Sequence, residues 1–315
     1  MKDSFNREID YLRISVTDLC NLRCVYCMPE NGVEKLSHSN ILTPERIKEV
    51  VEASAKLGIK KVRLTGGEPL VRHGIIDIIK MIRNIPEIKE ICLTTNGVLL
   101  KEMAKSLYDA GVDRLNISLD TLNKEKYRRI TRNGSLDKVL EGIEEAIHVG
   151  FKNIKINCVL IGGFNVDEID DFINFMDKYD LCVRFIELMP IGEASKMTSQ
   201  SFLSNKVILD KINNLTLVSQ DDICSYYKVK GHKGTLGLIS PLSRMFCSKC
   251  SRLRLTSDGK LKPCLHSSLE IDTNNLSRID LENAIKEAIL NKPKQHRLIE
   301  EGKSSSLRDM SKIGG

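Results

Sequence analysis

Residues 43–67 read TPERIKEVVEASAKLGIKKVRLTGG and contain one complete helix–strand unit. Thr43 can cap a helix, Pro44 suits its first turn, and Gly58 suits its end. The apolar residues between them recur at helical spacing and form one face: Ile47, Val50, Val51, Ala55 and Leu57. A short strand follows at KVRLT, residues 61–65, and two glycines come directly after it. The segment therefore predicts a helix that packs on a strand.

The same unit recurs through the first 190 residues. Six strand candidates begin near Tyr11, Lys61, Glu90, Arg114, Asn153 and Leu181. Helical patterns lie between them, including 101–110, 135–149 and 167–178. Such alternation predicts an α/β fold with a parallel sheet. It favours an incomplete (β/α)6 TIM-type barrel over a doubly wound sheet, although both give the same alternation.

The alternation of predicted strands and helices changes after residue 200. Short strands are predicted at 225–229 and 235–239, and a hairpin is predicted from 253–256 and 260–263. A helix is predicted near 280–290. We therefore divide the chain into a partial barrel at 1–200 and a C-terminal extension at 201–315. No Gly/Pro/Ser linker separates the two, so we expect the extension to pack on the barrel.

Composition narrows the classes of function. Among 315 residues, 48 Lys and Arg against 42 Asp and Glu give a net charge of +6. Aromatic residues make up 5% and Trp is absent, so few side chains are available to stack on the bases of single-stranded nucleic acid. The chain has no apolar leader and no run long enough to cross a bilayer. These features predict a soluble cytoplasmic protein with no membrane partner and no stable nucleic-acid partner.

Ten cysteines are the first unusual feature, and six of them form two tight groups. Clustered thiols in a reducing compartment hold metal more often than they form disulfides. The other four are interpreted as small buried apolar residues: Cys92, Cys158, Cys182 and Cys224.

The first group is Cys20-x3-Cys24-x2-Cys27, which follows the first predicted strand. Structural zinc sites and plain ferredoxin clusters use four protein ligands, so three thiolates leave one metal position open. The alternative is a zinc site completed by a distant histidine such as His38 or His73. The spacing favours an iron–sulfur cluster.

The second group is Cys247, Cys250 and Cys264. Spacing alone does not separate zinc, completed by His266 or His232, from iron–sulfur. The segment between the ligands contains Arg252-Leu253-Arg254, and residues two apart on a strand face the same side. Two guanidinium groups beside a metal suit phosphate oxygens.

Further cations lie inside predicted strands, where a lone charge is costly unless an anion meets it. They are Arg13, Arg63, Lys155 and Arg184. Together with the arginines of the second group they predict a cavity for a triphosphate. The chain contains neither a P-loop motif nor a G-x-G-x-x-G motif, so a nucleotide would be held in another way.

These residues resemble a known family. The motif Cys20-x3-Cys24-x-Tyr26-Cys27 is similar to the signature of radical S-adenosylmethionine (SAM) enzymes, and Gly66-Gly67-Glu68-Pro69 is similar to their methionine-amine motif. Four further motifs resemble the GTP 3′,8-cyclase family of molybdenum cofactor biosynthesis: Cys27-Met28-Pro29, residues 184–190 (RFIELMP), Arg252-Leu253-Arg254 and Ile313-Gly314-Gly315.

The resemblance implies two [4Fe–4S] clusters and a set of site residues. Cys20, Cys24 and Cys27 would hold the first cluster, and Cys247, Cys250 and Cys264 the second. The residues lining SAM would be Tyr26, Gly67, Ser118 and Met189. The residues contacting GTP would be Arg13, Arg63, Thr94, Lys155, Arg252, Leu253 and Arg254. The terminal glycines would reach into the active site.

The implied activity is that of a lyase, which cyclises GTP to (8S)-3′,8-cyclo-7,8-dihydroguanosine 5′-triphosphate in the first step of molybdenum cofactor biosynthesis. The implied partners are GTP, an electron donor and the next enzyme of the pathway, with the chain a monomer or homodimer. One alternative is another radical SAM enzyme with an auxiliary cluster, such as one that modifies a peptide. A second is a non-enzymatic zinc protein that binds nucleic acid.

Overall fold

The computed structural model describes residues 1–34, 37, 40–302 and 304–314. The helix predicted in the opening segment is present as α1, Pro44–Lys56, and the hydroxyl of Thr43 accepts a hydrogen bond from the backbone N–H of Arg46 at 3.1 Å. Gly58 has a φ of +99°, which suits glycine where the chain leaves the helix. The predicted helix–strand unit is confirmed.

Six parallel strands follow one another in chain order across the sheet. All six were predicted, and their pairing in sequence order is the pattern of a βα barrel. Their bounds are β1 Tyr11–Ser15, β2 Lys61–Thr65, β3 Glu90–Thr95, β4 Arg114–Ser118, β5 Ile154–Leu160 and β6 Cys182–Glu187.

Six further strands come from the C-terminal part of the chain and extend both edges of this sheet. They are β7 Leu215–Gln220, β8 Ser225–Val229, β9 Thr235–Ile239, β10 Arg252–Leu255, β11 Lys260–Lys262 and β12 Ile271–Asp272. β10 pairs parallel to β1, and β9 pairs parallel to β6. Eight parallel strands therefore stand side by side, and the ladder of described residues ends at β12 and β7 without closing.

Helices cover one face of the sheet and bury its apolar side chains. They are α1, α2 Ile75–Arg83, α3 Leu100–Asp109, α4 Lys124–Thr131, α5 Leu136–Val149, α6 Ile169–Tyr179, α7 Lys206–Lys211 and α8 Arg278–Leu290. Two short helices, α9 Leu298–Glu301 and α10 Met310–Ile313, contribute no described residue to this apolar core. Alternate strand residues such as Leu12, Val62 and Leu253 enter this core fully buried. The opposite face of the strands, called the inner face below, carries Arg13, Arg63 and their neighbours. Among the described helices, none is long and apolar enough to cross a membrane.

Some elements carry too little apolar pattern to be predicted. Within α4, only Tyr127, Ile130 and Thr131 are buried, and in β7 every residue except Leu215 is exposed. Hydrophobic periodicity is the signal on which the sequence prediction depends, so both elements were missed.

A buried carboxylate joins the last barrel strand to the extension. Glu187, at the end of β6, accepts hydrogen bonds from the backbone N–H groups of Asn205 at 3.0 Å, Leu242 at 3.0 Å and Ser243 at 2.9 Å. The hydroxyl of Ser243 also donates to it. Hydrogen bonds to a charged group contribute about 1.5–3 kcal/mol each, and removing the acceptor leaves buried donors unsatisfied.

We therefore expect Glu187→Ala to lower the free energy of unfolding by about 3 kcal/mol, because one buried and two partly buried N–H donors lose their acceptor. The measurement is urea unfolding followed by circular dichroism. Glu141→Ala is the matched control, since Glu141 is half exposed and paired only with Lys101, and we expect a change below about 0.5 kcal/mol. Equal midpoints for the two variants would contradict a joining role for Glu187.

Candidate active site

The polar segments that follow the parallel strands meet at one end of the sheet, as predicted. The backbone N–H of Gly67 donates to the carbonyl of Thr17 at 2.8 Å, and that of Glu68 donates to the carbonyl of Leu19 at 2.8 Å. A Cβ atom on Gly67 would lie 2.3 Å from that same Leu19 oxygen. Only glycine therefore permits the segment after β2 to lie against the chain that leads into Cys20.

The loop carrying Cys20, Cys24 and Cys27 is held from two sides. Within the loop, the carbonyl of Cys24 accepts the N–H groups of Cys27 at 2.9 Å and Met28 at 3.0 Å, which turns the second and third thiols toward each other. Outside it, Arg132 donates to the carbonyls of Arg23 and Met28. Arg132 directly follows α4, so a helix that the sequence did not predict supports this loop.

The three thiols perturb one another strongly. Burial, followed by the charge of the nearby Cys20, raises the pKa of Cys27 to about 12. Burial likewise raises the pKa of Cys20 to about 11 and that of Cys24 well above its usual value, the latter with help from Cys27. Such thiols stay protonated unless a metal replaces the protons, because metal binding and thiol deprotonation are coupled.

The donor geometry fits a cluster better than a single ion. Across the described residues, no three His, Cys, Asp or Glu side chains converge tightly enough to hold one metal ion. A structural zinc site needs four ligands about 2.0–2.3 Å from one ion, whereas an iron–sulfur cluster spreads its thiolates over separate irons. His73 is exposed, and His38, the other histidine of the zinc alternative, lies outside the described residues.

Tyr26 is fixed beside the thiols by a buried carboxylate. Its hydroxyl donates to Asp120 at 2.7 Å, and the other Asp120 oxygen accepts the N–H of Val159 at 2.8 Å. Burial raises the pKa of Asp120 to about 6, although both hydrogen bonds oppose that rise. Asp120 was not among the predicted site residues; its position directly after β4 was the signal available for it.

Glu68 organises the ends of β2 and β3. Its carboxylate accepts the hydroxyl of Thr95 at 2.7 Å and the N–H groups of Asn96 at 2.7 Å and Leu70 at 3.1 Å. Asn96 in turn reaches the sulfur of Cys20 with its side-chain amide at 3.8 Å. The predicted convergence of these strand ends on the thiol loop is therefore carried by direct hydrogen bonds.

Three arginines occupy paired positions in register on neighbouring strands, on the inner face of the sheet. Arg13 of β1 is in register with Arg63 of β2 on one side and with Arg254 of β10 on the other. Burial lowers the pKa of Arg13 to about 10, and burial followed by the charge of Arg13 lowers that of Arg254 to about 9. Arg63 also reaches the hydroxyl of Thr94 at 3.2 Å, so four predicted GTP residues lie together.

Tyr11 is a residue that the sequence analysis missed. Its hydroxyl accepts hydrogen bonds from Arg63 and, at 3.5 Å, from Arg13. Burial alone would raise the pKa of Tyr11, but the charges of Arg63 and Arg13 outweigh it and lower the pKa. An aromatic residue two positions before a strand arginine was the only signal for this contact, and it is a weak one.

The C-terminal tail reaches the same arginines. The carbonyl of Gly314 accepts from Arg254 at 2.6 Å and from Arg13 at 3.4 Å, and Ile313 beside it is buried. A Cβ on Gly314 would lie 2.8 Å from a methyl carbon of Thr65. Gly314 therefore lies at the inner face, while Gly315 is outside the described residues.

Two other strand cations lie further along the inner face. Lys155 donates to the hydroxyl of Tyr226 at 2.8 Å, which itself donates to Asp221 at 2.8 Å. Arg184 donates twice to the side-chain oxygen of Asn157, at 2.6 and 2.9 Å. Burial, followed by the charge of Arg184, lowers the pKa of Lys155. The Tyr226–Asp221 pair that orients Lys155 comes from the extension and carried no recognisable motif.

The second thiol group differs electrostatically from the first. Burial would raise the pKa of Cys250, but the charges of Arg252 and Lys292, with hydrogen bonds from Arg252, lower it to about 6. Burial raises the pKa of Cys247, which also accepts the backbone N–H of His296. His266, proposed for the zinc alternative, instead stacks on His296 and contacts Ser304, while His232 lies near Asp177.

The remaining predicted residues separate into two cases. Ser118 and Met189 lie at or just beyond the ends of β4 and β6, partly exposed, on the same edge as the thiol loop. The side chain of Leu253 lies in the helix-covered core, so any contact with a substrate would use its backbone. Of the isolated cysteines, Cys92, Cys158 and Cys224 are buried and Cys182 is partly buried.

Burial raises the pKa of Glu68 from 4.5 to about 7, although its three hydrogen bonds oppose that rise. A carboxyl whose folded pKa is raised stabilises the fold at low pH and loses that contribution as pH rises through the folded value. In the apo protein, we expect the wild type to lose stability relative to Glu68→Gln between pH 4.5 and 7. Urea unfolding across this range tests the expectation, with Glu141→Gln as control; a constant difference between wild type and Glu68→Gln would refute it.

Two family profiles divide the chain. Residues 14–176 match the radical SAM superfamily, and residues 181–298 match the C-terminal family of molybdenum cofactor synthesis. The first match covers the end of β1, the strands β2 to β5 and the first thiol loop. The second covers β6, most of the extension and the second thiol group.

Solved structures share the fold at low sequence identity. Streptococcus suis SuiB bound to the precursor peptide SuiA has a TM-score of 0.65 and 15% identity over 97% of this chain and 76% of its own. The structure named native anSMEcpe with bound AdoMet has a TM-score of 0.59 and 16% identity over 89% of this chain and 82% of its own. At this level of identity, the likeness concerns the fold alone.

Curated relatives are similar from end to end. Proteins named GTP 3′,8-cyclase from Alkaliphilus oremlandii and Alkaliphilus metalliredigens are 52% and 51% identical, and each match covers 100% of both chains. The relative of the same name from Clostridium botulinum strain Langeland is 48% identical over the same full coverage. The chain belongs to the radical SAM superfamily and, within it, to the GTP 3′,8-cyclase family.

Proposed function

We propose that this chain is a radical SAM lyase that cyclises GTP to (8S)-3′,8-cyclo-7,8-dihydroguanosine 5′-triphosphate, the first step of molybdenum cofactor biosynthesis. The observation that supports it most is the row of arginines beside a three-thiol loop on the inner face of the sheet. Family membership over the full chain agrees with it. A peptide-modifying enzyme would have no role for these inward-facing cationic side chains.

The cofactors are SAM and two [4Fe–4S] clusters. Cys20, Cys24 and Cys27 would hold one cluster, and Cys247, Cys250 and Cys264 the other. When bound, the first cluster and SAM supply a carbon-centred radical that removes hydrogen from the substrate. Tyr26, Gly67, Ser118 and Met189 would line SAM, and the hydrogen bond that Tyr26 donates to Asp120 would keep Tyr26 in one orientation.

Binding of the triphosphate would be the main task of the cations. Arg13, Arg63 and Arg254 lie side by side, and Lys155 lies further along the inner face. Guanidinium forks match phosphate oxygens in geometry, and low local dielectric strengthens the attraction. Bound phosphate would offset the burial and the neighbouring positive charges that together lower the pKa of Arg13 and Arg254.

Orientation and exclusion of water would complete the protein's contribution. Arg252 lies beside Cys250, so it connects the phosphate end of the site to the second thiol group. The tail carbonyl of Gly314 contacts both Arg13 and Arg254. A triphosphate that replaces this carbonyl would be held in one register, which favours reaction between two fixed atoms of the same molecule.

Several partners are part of the same proposal. A separate one-electron donor would reduce the first cluster, and the product would pass to the next enzyme of the pathway. We propose a cytoplasmic location and a monomer or homodimer. We expect no stable nucleic-acid partner, because the arginines and lysine described above face inward.

The test of the proposed function is an anaerobic incubation of reconstituted protein with SAM, a strong reductant and either GTP or ATP. Mass spectrometry would follow 5′-deoxyadenosine and any product isomeric with the nucleotide. We expect deoxyadenosine and an isomeric product with GTP only. Deoxyadenosine without nucleotide consumption would retain the radical chemistry and overturn the substrate.

We expect Arg254→Gln to raise the KM for GTP by about 10- to 100-fold, because a charge-assisted bond contributes about 1.5–3 kcal/mol. Steady-state kinetics against GTP would measure it. Arg128→Gln is the matched control, since Arg128 is an exposed arginine on α4, and its KM should stay within about twofold. An unchanged KM in Arg254→Gln would remove this residue from the triphosphate site.

A further inference from the structure

Lys292 is a buried lysine close to the second thiol group, and the function proposed above gives it no role. Its side-chain ammonium donates to the carbonyls of Arg252 at 2.8 Å and Pro263 at 2.6 Å, and the residue is 3% exposed. Neither acceptor carries a charge. Within the described part of the chain, Lys292 forms no ion pair with a carboxylate, and the two carbonyls that it contacts belong to residues close in sequence to Cys250 and Cys264.

Two other buried cations of this region are paired with carboxylates. Lys262 is fully buried and pairs with Glu270 at 2.9 Å. Arg7 pairs with Asp3 at 2.6 Å while its guanidinium holds the carbonyl of Cys247 at 2.7 Å. A buried charge without a partner is expensive, so Lys292 requires an anion that the carboxylates do not provide.

The backbone places Lys292 between the ligands. Its two acceptors lie two residues after Cys250 and one residue before Cys264. Pro293 follows directly, and the same turn brings the backbone N–H of His296 to the sulfur of Cys247. Arg7 fixes the turn from outside through the carbonyls of Pro293 at 2.8 Å and Lys294 at 3.0 Å. The segment 292–296 thus contacts the surroundings of all three cysteines.

We propose that Lys292 is the counter-cation of the second thiol group, which helps to retain an iron–sulfur cluster there and raises that cluster's reduction potential. The inference rests on the proposed function, because it assumes a cluster on Cys247, Cys250 and Cys264. Lys292 acts as a positioning and charge-balancing residue and does not contact the substrate.

The physical reason is the charge of the reduced state. Adding an electron to a cluster on three thiolates increases its negative charge, and a nearby fixed positive charge stabilises that state. Arg252 contributes in the same direction through its contact with Cys250.

The test uses the full chain with Cys20, Cys24 and Cys27 all replaced by Ala, so that only the second group can hold a cluster. In this background, Lys292→Gln keeps hydrogen-bond donors but removes the charge, and Lys292→Arg keeps the charge. Lys262→Gln is the matched control, because it removes a buried lysine that has a carboxylate partner. Each protein would be reconstituted with iron and sulfide, assayed for both, and titrated at fixed potentials by electron paramagnetic resonance.

We expect Lys292→Gln to lower the ratio of reduced to oxidised cluster about tenfold at a given potential, which corresponds to 59 mV for a one-electron couple. Lys292→Arg and Lys262→Gln should stay within about threefold of the parent. Loss of the cluster from Lys292→Gln, with retention in the other two variants, would also support the charge role.

Two results would overturn the inference. One is an unchanged ratio in Lys292→Gln with full iron content. The other is equal loss of iron from Lys292→Gln and Lys292→Arg in proteins whose circular dichroism is unchanged, since that would reduce Lys292 to a packing role. If the parent with its three Ala substitutions binds no iron, the second cluster of the proposed function fails, which is a separate conclusion.

Discussion

The arrangement of the site depends on positive charge held at the inner face of the sheet. Arg13, Arg63 and Arg254 are neighbours across three strands, and their hydrogen bonds include ones to a phenol, a hydroxyl and a backbone carbonyl. Like charges at this spacing repel, and the repulsion strengthens as water is excluded. The fold holds them because the apolar face of the same strands is buried under helices, where Leu12, Val62 and Leu253 anchor each strand. This row of positive charges therefore favours the binding of a polyanion.

Parallel pairing between distant segments makes this charge row possible. β10 lies about 240 residues after β1 in the chain, yet pairs with it in register from Tyr11↔Arg252 to Ile14↔Leu255. A shift of one residue would send both arginines of β10 into the core and Leu253 to the inner face. The fixed register of β10 on β1 therefore sets the position of the second thiol group relative to the first. The extension is part of the same sheet on both edges, and the site does not exist without it.

The sequence predicted this arrangement well where periodicity or spacing carried the information. All six barrel strands, the hairpin of β10 with β11 and the inward position of Arg13, Arg63 and Arg254 follow from alternation, which depends only on strand geometry. Residues whose role depends on a partner elsewhere in the fold give no signal in the periodicity or spacing of the sequence. Tyr11, Asp120, Tyr226 and Lys292 each contact a site residue that lies between 2 and 94 positions away, and only the fold brings them together. The open ladder could not be read from alternation either, because closed and open sheets share it.

The two thiol groups show why similar spacing does not mean similar chemistry. In the first group, burial raises the pKa of Cys20, Cys24 and Cys27, and neighbouring thiols add to the rise at Cys24 and Cys27, so a metal held there would displace three protons. In the second, Arg252 and Lys292 lower the pKa of Cys250 to about 6, so a metal held there would displace fewer protons. Metal binding to the second group would therefore depend less steeply on pH. The difference in cysteine pKa arises from cations on β10 and in the turn after α8. It gives the two thiol groups different electrostatic surroundings although they share one inner face.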